Sequence, residues 1–66
     1  MLIDPQNSIA YCNRGNAKSN LGDKKEAIID YDKAIEINPQ YSSAYNNRGN
    51  AKDDLGDTKE AIIDYD

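Results

Sequence analysis

Histidine, tryptophan and phenylalanine are absent from this 66-residue chain, and cysteine occurs once. With no histidine, no side chain titrates near neutral pH at its ordinary pKa, and Cys12 has no imidazole to activate it, so acid–base and nucleophilic chemistry have little to work with. A single cysteine cannot make an internal disulfide, which points to a reducing, cytoplasmic setting. Positive charge is in the minority, eight Lys and Arg against twelve Asp and Glu, for a net charge of −4. Proteins that grip nucleic-acid phosphates present a basic stripe, so this balance argues against a nucleic-acid partner and favours a neutral or basic peptide. Long apolar runs are missing as well. Met1-Leu2-Ile3 is followed at once by Asp4-Pro5, which reads as neither a signal peptide nor a membrane span.

What the chain does contain is itself, twice. Residues 3–32 and 37–66 align at an offset of 34 with 23 identities in 30 positions and no gap. Arg14-Gly15-Asn16-Ala17-Lys18 returns as 48–52, and the run from Lys25 to Asp32 returns as 59–66. A repeat of this period is one supersecondary unit that cannot bury its apolar face alone and must stack on its neighbours. The expected class is therefore all-α, with antiparallel helical hairpins stacked as an α-solenoid.

Each unit reads as two helices. From Ser8 to Leu21, Ala10, Tyr11, Gly15, Ala17 and Leu21 recur at helical spacing and define helix A. Gly22 suits the left-handed position that closes a helix, and Asp23 with Glu26 three residues later has the pattern of a capping box opening helix B. Ala27, Ile28, Tyr31, Ala34 and Ile35 form the apolar stripe of helix B, which runs to about Ile37 and ends at Asn38-Pro39. Ser42 starts the second helix A; Gly56-Asp57 repeats the turn; 58–66 begins a second helix B. The expected partition is 1–7 as the tail of a preceding helix B, 8–41 as a first repeat and 42–66 as a second, truncated within its helix B. The chain reads as a window on a longer array.

These residues resemble the tetratricopeptide repeat. Tyr11, Gly15, Leu21, Gly22, Ala27, Tyr31, Ala34 and Pro39 occupy the signature positions of that family in order, and Tyr45, Gly49, Leu55, Gly56, Ala61 and Tyr65 do so in the second copy. The match spans Ser8 to Asp66. It departs where the family often has Leu and Tyr, with Arg14 and Lys18 here and Arg48 and Lys52 in the second copy. The aliphatic stems of the arginines can cover apolar surface while the guanidinium reaches solvent or a carboxylate, and a ligand-binding role is the alternative. The resemblance implies a right-handed superhelix whose helices A line a concave groove that holds an extended peptide or a partner helix.

On that face lie Asn13, Asn16 and Asn20 of the first unit, and Asn46, Asn47, Asn50 and Asp54 of the second, beside Ile9, Cys12, Ser19, Ser43 and Asp53. An amide offers two donors and an acceptor, so a ladder of asparagines can pair with an extended peptide backbone whatever its sequence; plain solvated asparagines are the alternative. Some members of the family grip a C-terminal carboxylate with two asparagines plus Lys and Arg. Asn16 and Asn47 match those asparagines, but Cys12 stands where that clamp has Lys. Asp53 and Asp54 would favour a basic segment at one end of the groove.

Cys12 itself reads as a small filler at this surface. Asp30/Asp32 and Asp64/Asp66 are i,i+2 pairs that point apart on a helix, so they read as solubilising charges. Ile29 and Ile63 fall off the apolar stripe and should be exposed. No glycine sits in a phosphate-loop pattern, and no metal or cofactor is expected.

The function these features favour is a protein–protein interaction module with no chemistry of its own. An enzyme would need residues from elsewhere, and a helical-hairpin RNA-binding array would have a basic surface and a period one residue longer. A structural unit that self-associates, by head-to-tail stacking or as a dimer swapped through the Gly22-Asp23 hairpin, is the remaining alternative.

Overall fold

The computed structural model describes residues 6–65. Four helices occur in order, α1 (Ser8–Asn20), α2 (Lys24–Ile37), α3 (Ser42–Asp54) and α4 (Thr58–Tyr65), paired as two antiparallel hairpins. The α1/α2 hairpin packs on the α3/α4 hairpin through α2 and α3, and α1 touches α3 only lightly. The fold is an all-α helical repeat, as the period requires. The expected tail at 1–7 falls mostly outside the described residues, as does Asp66. Within reach, Asn7 caps α1, its side chain accepting from the Ala10 backbone N–H at 3.0 Å.

Both hairpin turns are built alike. Gly22 and Gly56 take φ of 90° and 92°, where any side chain is strained. In the first turn, the N–H of Gly22 bonds to the Ser19 carbonyl at 3.0 Å and the N–H of Asp23 to the Lys18 carbonyl at 2.9 Å. This is the Schellman closure of a helix, and 52–57 repeats it. It also overturns the expected capping box. Asp23 is the N-cap of α2 but makes no side-chain cap bond, and its N–H, which Glu26 would need, is already given to Lys18.

The core is small: Cys12, Ala27, Tyr31, Ala34, Ala44 and Ala51, with Tyr11, Ile28, Ile35 and Tyr41 packed against it. The α2 stripe lies where its periodicity puts it. On helix A the apolar side is less uniform, because Leu21 is 81% exposed and Ala17 is exposed, while Ala51, the counterpart of Ala17, is buried. The difference is positional: α3 has α2 on that side, and α1 ends the described stack. Likewise Tyr31 is 2% exposed, and its counterpart Tyr65 is 46% exposed. Ile29 and Ile63 are exposed, as expected.

Asp30 and Asp64 correct the reading of the acidic pairs, since both are buried. Asp30 is three residues after Ala27 and four before Ala34, which puts it on the buried stripe rather than outside it. Its partner in sequence, Asp32, is exposed.

Candidate functional site

The arginines that depart from the family pattern reach those buried carboxylates. Arg14 donates from Nε and Nη2 to the two oxygens of Asp30 at 2.9 and 2.8 Å, and Lys18 Nζ lies 3.2 Å from Oδ2. Arg48 holds Asp64 the same way at 2.9 and 2.7 Å, with Lys52 Nζ at 3.1 Å. Each guanidinium also stands over a tyrosine ring, Arg14 on Tyr11 at 5.5 Å and Arg48 on Tyr45 at 5.3 Å. Burial pushes the Asp30 and Asp64 carboxyls up, but the hydrogen bonds and charges of the facing Arg and Lys outweigh it and hold both below the ordinary carboxylate pKa. These cations are thus committed to the fold. Arg48 does one thing more: its Nη1 donates to Asp32 of α2 at 2.7 Å, tying the two hairpins together.

On the helix A side, Asn16, Ser19 and Asn20 of α1, Tyr31 of α2, and Asn47 and Asn50 of α3 line one open cleft of about 360 Å³. The amides are not loose. The Tyr31 hydroxyl donates to Asn16 Oδ1 at 2.7 Å, and Asn47 Nδ2 donates to the same oxygen at 3.0 Å. Asn47 Nδ2 also lies 3.7 Å from Cys12 Sγ. Tyr65 donates to Asn50 Oδ1 at 2.5 Å, repeating the Tyr31 contact one unit along.

The other expected groove residues are elsewhere. Asn13 is exposed and does not line this cleft. Asn46 borders a separate hollow of about 300 Å³ with Ser42, Tyr45, Ile63, Asp64 and Tyr65. Asp54 is paired with Lys24 at 3.1 Å, and Lys24 also donates to Ser19 Oγ at 2.9 Å. Asp53 accepts from the Thr58 hydroxyl. The acidic end of the groove is therefore partly neutralised from within. Cys12, expected at the groove surface, is buried in the core, because α3 closes over it.

Tyr31 is the cleft residue that periodicity assigned to the core alone. Its ring is core and its hydroxyl is wall. The signal was present: Asn16 and Tyr31 are 15 residues apart, and Asn50 and Tyr65 repeat both residues at the same separation.

The cleft holds amides, hydroxyls and no free acid–base pair, an arrangement suited to recognition by hydrogen bonds. Among the described residues no helix is long and apolar enough to cross a membrane. Stacked helical hairpins with a polar cleft on the helix A side define a helical-repeat scaffold. Sequence models described as tetratricopeptide repeat match residues 8–41 and 30–63. The chain belongs to the tetratricopeptide repeat family, whose repeats are generally protein–protein interaction modules. No curated protein matches it.

Proposed function

We propose that this chain is a peptide-binding scaffold segment whose cleft at Asn16, Asn20, Asn47 and Asn50 takes an extended stretch of a partner protein, without cofactor or catalysis, in a cytoplasmic setting. In this reading the working units are 8–41 and 42–66, with 1–7 closing a preceding unit. The observation that carries it is the cleft itself. Four amides from two repeats line one open, polar space. The backbone of an extended peptide offers the complementary groups at every residue. A peptide array probed with the chain would supply a ligand. Replacing Asn16 or Asn47 with Ala should then weaken it by about 1–3 kcal/mol per lost buried partner while helicity is retained. Unchanged affinity in both variants would contradict the assignment.

A second reading has its own observation. Ile62 and Tyr65 of α4 are exposed, while their counterparts Ile28, partly buried, and Tyr31, buried, belong to the core that α2 shares with α3. Another helix A could cover α4 as α3 covers α2, and a second copy of the chain can supply one. Light scattering over a concentration series would show growing species for head-to-tail stacking and a fixed dimer for swapping. A monomer at every concentration would remove this reading and leave the first intact.

A further inference from the structure

Only seven of the 30 aligned positions differ between the two units, and four of those seven supply contacts that cross from one hairpin to the other. Lys24 Nζ donates to Ser19 of its own turn and reaches Asp54 of the next unit at 3.1 Å. Its counterpart Thr58 is uncharged and donates its hydroxyl to Asp53 inside its own turn, and Asn20, the counterpart of Asp54, carries no charge either. Elsewhere on the seam, Tyr41 packs against the core that holds Cys12, and Cys12 Sγ faces Asn47 Nδ2 at 3.7 Å. Burial and the nearby Cys12 thiol raise the pKa of the Tyr41 hydroxyl. The counterparts of these two residues are Asn7 and Asn46.

Position 41 shows the preference most plainly. Asn7 caps α1 by accepting from the Ala10 N–H, whereas Tyr41, the N-cap of α3, makes no side-chain cap bond. Asparagine is among the best N-cap residues, so the second unit forgoes a cap and places a ring on the seam instead. The Arg48–Asp32 tie is general by comparison, since Arg14 and Asp66 repeat both residues in the sequence.

We infer that the seam is directional: Cys12, Lys24, Tyr41 and Asp54 fit the second unit after the first, and not the first after the second. Where α4 of one copy met α1 of another, the repeat register would set Thr58 opposite Asn20 and Asn46 opposite Asn7. The ion pair is then gone, and two amides stand where a ring met a thiol. All four of those residues are exposed within the chain. The uncovered face of α4 is therefore a poor seat for α1 of a second copy. This holds whether or not the cleft binds a peptide, and of the two modes of self-association it removes head-to-tail stacking.

The test carries the seam residues to the outer faces of the full chain. Asn7→Tyr, Asn20→Asp, Asn46→Cys and Thr58→Lys are combined and kept reduced, with circular dichroism to follow the helices and light scattering over a concentration series. A surface ion pair and a covered ring together tighten association by about tenfold or more, so the quadruple variant should form growing species where the parent stays a monomer or a fixed dimer. Thr58→Glu in place of Thr58→Lys sets like charges together and should abolish the growth. Should loss of the Asn7 cap unfold the variant, Asn20→Asp with Thr58→Lys keeps the cap and should still tighten association about threefold. Within the parent, Tyr41→Asn restores a capping residue yet should lower the melting temperature by about 4–8 °C, because it strips the seam of its ring. Growth of the parent equal to that of the variant, a folded variant that stays monomeric, growth that survives Thr58→Glu, or melting raised by Tyr41→Asn would overturn the directional seam.

Discussion

Gly15 lies beneath the ring of Tyr31, and a methyl group added there would stand 2.7 Å from Tyr31 Cε1. The ring is sealed in the core and cannot retreat, so Gly15→Ala should cost about 1–3 kcal/mol. Gly49 meets Tyr65 at the same 2.7 Å, but Tyr65 is half exposed and its ring has room to shift toward solvent, so Gly49→Ala should cost clearly less. Chemical denaturation of the two variants tests the order, and equal losses would contradict this account of the close approach. Asp30 and Asp64 give a prediction in pH. Their folded pKa values lie below the unfolded one, so their contribution is complete above the unfolded value and is lost as pH falls through the folded one. The melting temperature should hold above about pH 5 and fall below about pH 4. Asp30→Asn should lose about 1–3 kcal/mol at neutral pH, because Arg14 and Lys18 keep their charge without a carboxylate, and should show a shallower acid limb.

At the scale of the element, identical residues meet different neighbours. Ala51 is sealed between α3 and α2, whereas Ala17 on α1 faces solvent. Ala51→Leu should cost about 1–3 kcal/mol by overpacking, and Ala17→Leu should fall within about 0.5 kcal/mol of the parent by thermal melting. Helices and turns were legible because Gly22, Gly56 and Asn38-Pro39 act locally: a positive φ and a missing helical conformation before proline need no tertiary partner. The capping box was misread because competition for the Asp23 N–H depends on how the preceding helix closes. Asp30 and Asp64 were legible on a helical wheel, though not as i,i+2 pairs, since Ala27 and Ala34 flank Asp30 on one stripe. Among the groove residues, Asn16, Asn20, Asn47 and Asn50 meet in one cleft. The meeting of Asn16, Asn47 and Cys12 was beyond periodicity, because it joins two units 31 and 35 residues apart.

For the molecule as a whole, two surfaces compete for a role: the amide cleft on the helix A side and the uncovered face of α4. The most direct test titrates an isotope-labelled chain with the best peptide from the array and follows side-chain amide and methyl signals by NMR. Binding in the cleft moves the Nδ2 signals of Asn16, Asn20, Asn47 and Asn50 together and leaves the Ile62 and Ile63 methyl groups in place. Shifts confined to Ile62, Ile63 and Tyr65, with the four asparagine amides unmoved, would contradict the claim that the cleft is the binding site.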